Sequence, residues 1–250
     1  MKSMKNTLLL AIVAAACAAV GTAQANVVNV QFAGTGAYAA GSYSGNKGAY
    51  TSDNVPAPTW NVFTVAPGGT SGSMSNLVAS NNTATTEAVS FTSAGSYNSV
   101  GTPTSPYSNL LNGFLVTYGP STVTLTGLTD NGNYQLYLYG QNGGFNSVGS
   151  TFSISTGTGS PITGSNAVTA AHAAQSGTFQ ENANYVIFNA TANSLGTLGI
   201  NYVATPNTPQ GAFNGLQVIS TTAVPEPASL GLLGAGALGL LLLGRKRKTA

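Results

Sequence analysis

The stretch STVTLTGLTDNGNYQLYLYG, residues 121–140, sets apolar side chains at every second position. Val123 and Leu125 alternate with threonines, and Leu136 and Leu138 alternate with Gln135, Tyr137 and Tyr139. A period of two belongs to strands, whose successive side chains leave opposite faces; a helix would need a period near 3.6. Each such strand must bury its apolar face against another layer, so the pattern demands stacked sheets. Asn131-Gly132 between the two runs supplies the positive φ values of a tight turn, and a hairpin is expected over Ser121–Gly140. Leu136 and Leu138 mark its core face, whereas Tyr137 and Tyr139 share the other face with Gln135.

The same texture runs on either side. NVVNVQF, STFSIST, NYVIFNA, GTLGINYV and FNGLQVIS are rich in β-branched and aromatic residues, with Gly, Asn, Ser and Pro clusters between them. Strands spaced in this way build sandwiches or barrels. The expected fold class is all-β, a single β-sandwich that is antiparallel or nearly so. SNAVTAAHAAQ, Ser165–Gln175, is the one helical candidate, and flanking glycines limit it to a turn or two.

Charge narrows the function classes. Only 5% of the chain is charged, against about 25% in ordinary soluble domains. Between Asn26 and Val224 a single cation, Lys47, stands against Asp53, Glu87, Asp130 and Glu181. The positive charge sits at the two termini, so no basic surface for nucleic acid is expected on the body. Uncharged strand edges are poorly protected against pairing with other chains, and low net charge favours association. Both suit a secreted matrix component.

Catalytic arrangements find few residues to build them. GTGAYA, Gly34–Ala39, has dinucleotide-fingerprint spacing, but AGSYSGNKG follows where a phosphate-binding helix would be required. His172 is the only histidine, too few for a zinc site, and no nucleophile elbow accompanies it. The four carboxylates allow a glycosidase-type pair in principle. Asp130 reads better as a turn residue. No metal site and no cofactor are expected, although a calcium ion held by one carboxylate and loop carbonyls would suit a secreted sandwich. Trp60, in PAPTWNVFTV, and the early tyrosines Tyr38, Tyr43 and Tyr50 are candidates for stacking on a sugar ring, with core packing the alternative for Trp60.

The ends are more explicit. Lys2 and Lys5 precede the apolar run Leu8–Val20, and Ala23 and Ala25 form a small-residue cleavage site, so residues 1–25 read as a secretory signal peptide. Cys17 lies inside that run, and the chain that remains has no cysteine for a disulfide. At the other end, VPEPASLGLLGAGALGLLLLGRKRK joins Pro225, Glu226 and Pro227 to an uncharged span and then to Arg245, Lys246, Arg247 and Lys248. As a helix the span covers roughly 25 Å, a little under the ~30 Å hydrocarbon core. The basic cluster is a stop-transfer signal that stays in the cytoplasm, and the prolines keep the triplet extended.

This tripartite tail resembles the PEP-CTERM sorting signal of exported Gram-negative bacterial proteins. The resemblance implies recognition of Pro225, Glu226 and Pro227 by an exosortase, a membrane-embedded cysteine transpeptidase, in a host that makes exopolysaccharide and biofilm matrix. The body, through PTWNVFTV, LTGLTDNGNYQLYLYG and GAFNGLQVIS, is similar to jelly-roll, galactose-binding-like sandwiches, in which the first and last strands are neighbours. The expected organisation is signal peptide 1–25, β-sandwich 26–222 and sorting signal 223–250 with a transmembrane helix. The expected function is that of a non-enzymatic envelope or extracellular-matrix protein. It would lodge transiently in the inner membrane, reach the surface, and bind exopolysaccharide. A secreted glycan hydrolase or lyase with a carboxylate pair is the alternative, and a self-associating structural subunit is a third.

Overall fold

Alternation becomes strand through most of the body. The computed structural model describes residues 26–34, 43–52, 54–66, 68–98, 106–141, 148–168, 179–206 and 208–221. All of these fall within one unit, Asn26–Thr222. One six-stranded sheet is ordered β10-β12-β8-β15-β1-β2. Its members are β1 (Val27–Gly34), β2 (Asn61–Val65), β8 (Asn133–Tyr139), β10 (Thr158–Pro161), β12 (Tyr185–Thr191) and β15 (Gly215–Ser220). The second, also six-stranded, is ordered β11-β9-β13-β7-β4-β3. It contains β3 (Ser71–Met74), β4 (Ala88–Thr92), β7 (Ser121–Thr126), β9 (Ser150–Thr156), β11 (Ala167–Val168) and β13 (Leu198–Ala204). A small sheet of β5 (Gly95–Asn98), β6 (Gly113–Thr117) and β14 (Gly211–Phe213) sits beside them, and α1 (Pro106–Asn112) is the one helix among the described residues.

The two large sheets face each other across one core. Val30, Phe32, Leu136, Leu138, Phe188 and Leu216 of the first meet Phe91, Val123, Leu125, Phe152, Ile200 and Tyr202 of the second. Phe32 packs edge-on against Phe91 at 5.8 Å and against Phe213 at 5.6 Å, the favoured geometry for aromatic pairs. The expected sandwich is therefore present, with Leu136 and Leu138 on its core face.

The expected hairpin is not. β7 pairs with β13 and β4, whereas β8 pairs with β12 and β15 in the opposite sheet. A turn is nonetheless present there: Asn131 has the expected positive φ, 54°, whereas Gly132 does not, and the Gly132 N–H donates to the Thr129 carbonyl at 2.9 Å. Alternation fixes which face of a strand is apolar; it is silent on whether the next strand lies beside it or across the core. Here the connection Gly127–Gly132 swings over the end of the sandwich. Gly127 has φ 74°, and a Cβ there would strike the Thr86 carbonyl oxygen. Leu128 is buried and plugs the sandwich end, its N–H donating to the Gly196 carbonyl at 3.1 Å.

The connection from β12 to β13 crosses at the same end, and the two connections are bonded together: Asn131 N–H to Asn193 O at 3.1 Å and Ala192 N–H to Gly132 O at 2.9 Å. An antiparallel ribbon folded so that its halves lie in opposed sheets is jelly-roll winding. The first and last strands are neighbours as expected, with Val28 opposite Val218. Among the described strands only β1 and β2 pair in parallel, within the nearly antiparallel arrangement expected. One further expectation needs correction: the alanine-rich candidate Ser165–Gln175 begins as strand at Ala167–Val168. Residues 169–178 lie outside the described residues, as do both export signals. Helix α1 went unread; Pro106 opens it with a preset φ, and Leu110 and Leu111 are buried.

Candidate functional site

The outer face of the first sheet is organised by strand register. β12 runs antiparallel to β8, pairing Tyr185 with Tyr139, Ile187 with Tyr137, Asn189 with Gln135 and Thr191 with Asn133. These rows share one face, about 6.8 Å apart along the strands and about 4.8 Å apart across them. From one end to the other the face passes from covered aromatics, through half-exposed tyrosines, to open hydroxyl and amide groups.

At the covered end, residues 43–50 lie over Tyr139. The Tyr139 hydroxyl donates to Gln217 Oε1 at 2.5 Å and accepts the Ala49 N–H at 2.7 Å, while the Tyr50 N–H reaches Gln217 Oε1 at 3.0 Å. Gln217 in turn donates to Asn29 Oδ1 at 3.0 Å. Gln31 Oε1 accepts the Tyr43 N–H at 2.9 Å, and its Nε2 donates to Asn109 O at 2.8 Å. Amides that would have faced water thus bind a covering segment. Burial raises the Tyr43 phenol to about 12 and the Tyr139 phenol well above its usual value.

Trp60 belongs to this covered zone. It is 3% exposed, packs edge-on against Tyr43 at 5.0 Å, and donates from Nε1 to the Asn46 carbonyl at 2.9 Å. No ring face is left for a sugar. The sequence admits both roles, because an indole with a satisfied N–H serves equally as a core residue. Tyr43 is likewise buried, and Tyr38 lies outside the described residues.

Half-exposed aromatics follow. Tyr137 stands 5.8 Å from Tyr185 with their planes 27° apart, and 5.7 Å from Tyr50 at 59°. Glu181, bridged to Tyr185 through the backbone, lies at the same corner, with Oε1 buried and accepting no hydrogen bond. The Tyr137 phenol is pushed up to about 12 by burial first and then by Tyr185, Tyr50 and Glu181. Tyr137 and Tyr185 therefore stay neutral donors across the physiological range. Sequence reading noted Tyr50 and Tyr137 but missed Tyr185 and the role of Glu181. The available signal was parity, since YVIFN carries its tyrosine in the same phase as its asparagine.

Beyond the rings the face opens into a groove of about 640 Å³ lined by Asn133, Thr158, Ser160, Asn189, Thr191 and Thr221 with adjoining backbone. Thr191 donates to Asn133 Oδ1 at 2.8 Å, and Thr221 donates to the Asn133 carbonyl at 3.0 Å. Every lining group is neutral, and together they offer donors and acceptors suited to hydroxyl-rich ligands.

Two of the carboxylates, Glu181 and Asp130, lie far apart. Glu181 lies beyond the Tyr185 end of β12, and Asp130 near its Thr191 end, about 20 Å away by strand rise. A glycosidase pair stands roughly 5–9.5 Å apart. Glu87 is 9% exposed at the start of β4. Asp53 and His172 lie outside the described residues, as do Ala23, Ala25, Pro225–Pro227 and Arg245–Lys248. Among the described residues no three His, Cys, Asp or Glu side chains gather into a metal-binding group, and no helix is long and apolar enough to cross a membrane.

Comparison with known proteins places the PEP-CTERM protein-sorting motif at residues 223–248. The chain therefore carries the sorting signal of an exported protein. No curated protein matches the chain. Among solved structures, a CBM35 from Cellvibrio japonicus Abf62 is 18% identical with a TM-score of 0.30, covering 50% of this chain and 82% of its own. The complex of plant peptide RALF23 with FER and LLG2 contains a chain 14% identical with a TM-score of 0.34, covering 80% of this chain and 40% of its own.

Proposed function

We propose that this protein is a non-enzymatic component of the cell envelope or extracellular matrix that binds exopolysaccharide along the outer face of its first sheet. An exosortase processes it at Pro225-Glu226-Pro227, after the apolar span and Arg245–Lys248 have held it in the inner membrane. The observation that carries the binding reading is the continuity of one face. Tyr137 and Tyr185, with Tyr50 laid against Tyr137, give way along β8 and β12 to the neutral groove of Asn133 and Asn189, which Ser160 of the neighbouring β10 also lines. Rings stack on the apolar faces of sugars, and hydroxyls and amides bond their rims. Sugar contacts of this kind need no reacting carboxylate pair, in keeping with the distance between Glu181 and Asp130.

Retention on the host's own polysaccharide tests this. Tyr137→Ala is expected to weaken binding about tenfold, on the scale of one lost ring-stacking contact. Asn189→Ala is expected to weaken it about threefold, and circular dichroism should stay at the parent signal for both. Undiminished retention of both variants would remove this face from consideration. Release of shortened glycan by the parent protein would remove the non-enzymatic reading.

A further inference from the structure

We propose that the corner formed by Tyr137, Tyr185 and Glu181 takes an ammonium group, so that the preferred glycan carries amino sugars with free amines. The inference rests on the glycan-binding reading above and names the chemistry of one of its subsites.

Glu181 is the first argument. One of its carboxylate oxygens is buried and accepts no hydrogen bond, and no ion pair reaches it among the described residues. Lys47, the one cation among them, donates to the Thr51 carbonyl at 3.0 Å. A carboxylate so placed is an acceptor short of a donor, and an ammonium group brings three.

The rings are the second. Tyr137 and Tyr185 are half-buried, near-parallel and 5.8 Å apart, with Tyr50 tilted against Tyr137 and Phe179 edge-on to Tyr185 at 6.4 Å. Aromatic faces carry negative quadrupole potential and attract cations. Burial and the neighbouring carboxylate keep the Tyr185 phenol protonated, so among the described residues Glu181 supplies the corner's one acidic group and the Tyr137 and Tyr185 phenols supply neutral oxygens. Ring faces and carboxylate therefore favour a cation together, and both repel a uronate. A lone carboxylate suits an ammonium better than a calcium ion, which takes about six to eight oxygens.

The third is preorganisation. Glu181 sits in a tight turn in which Ala183 and Asn184 N–H donate to Gln180 O at 3.1 and 3.0 Å, and Asn182 N–H donates to Tyr185 O at 2.8 Å. Asn182 holds φ 64° there. A backbone fixed in this way loses little freedom on binding.

Titration calorimetry of the full chain with glucosamine hexamer and N-acetylglucosamine hexamer tests the inference. The two probes differ in whether the nitrogen is charged. The free amine form is expected to bind about tenfold tighter, a preference that Glu181→Gln cuts to within about twofold while N-acetyl binding holds. Equal affinity for the two probes, with Tyr137→Ala weakening both, would overturn the ammonium subsite and leave the glycan face standing. Failure of both probes and of the host polysaccharide would overturn both readings. Should Glu181→Gln lose the parent's circular dichroism, competition by tetramethylammonium against glucosamine hexamer decides: displacement supports the inference, and its absence overturns it.

Discussion

Raising the pH from 5 to 8 is expected to weaken the fold, through Glu87. This side chain is 9% exposed, and its Oε2 is buried without a hydrogen-bond partner. Burial alone lifts its carboxyl from 4.5 to about 7. Below pH 4.5 the group is protonated in folded and unfolded chains alike, and the fold bears no cost. Between 4.5 and 7 the unfolded chain releases the proton while the folded chain keeps it, so stability falls as pH rises. Above about 7 the loss is complete. At about 1.4 kcal/mol per pH unit it amounts to about 3 kcal/mol, a sizeable part of the ~5–15 kcal/mol that holds a typical domain together. For a body of this size that is roughly 6–12 °C in Tm. Thermal melts followed by circular dichroism at half-unit steps between pH 4.5 and 8.5 would show it. Glu87→Gln, neutral throughout, should flatten this part of the profile and exceed the parent's stability at pH 8. A parent whose Tm holds steady across the window refutes the reasoning, as does a glutamine variant that falls just as far.

Three other outcomes are expected. Gly48→Ala should dislodge residues 43–50, because a Cβ there would meet the Tyr139 hydroxyl at 2.7 Å and collide with Gln217 Oε1; faster amide exchange at Tyr43–Tyr50 with the β7 and β13 amides still protected is the signature. Trp60→Ala should cost about 3–5 kcal/mol of stability in denaturant melts, as truncation of a fully packed aromatic does, and a loss under 1 kcal/mol would contradict its place in the core. Replacing Pro225, Glu226 and Pro227 together by Ala should leave the chain in the membrane fraction as the unprocessed form, and normal release would show that processing does not read the triplet.

What the sequence made legible was each strand's own business. The phase of Val123 and Leu125, and of Leu136 and Leu138, named the core face correctly because burial acts on every strand separately. Asn131 was readable as a positive-φ residue because its side chain tolerates that conformation locally. Partnership was not legible in the same way. Whether β7 lies beside β8 or across from it depends on bonds from Leu128 and Asn131 to Gly196 and Asn193, more than sixty residues further on. The site was hidden for the same reason. Tyr50, Tyr137 and Tyr185 meet only through registers set by β8, β12 and β15, and Trp60 is covered by contacts with Tyr43 and Asn46 that no local pattern announces.

The antiparallel pairing of β1 with β15 has a mechanical side. The Ser220 N–H donates to the Asn26 carbonyl at 2.9 Å, so the body's two ends leave from the same point, and β15 is clamped between β1 and β8. If glycan is held on β8 and β12 as proposed, a tug on the C-terminal tail along the axis of β15 would load the β15–β8 bonds lengthwise and all at once. Sheared strands resist far more force than strands peeled one bond at a time, and that makes β15 the coupling through which tension passes from the tail to whatever the outer face holds.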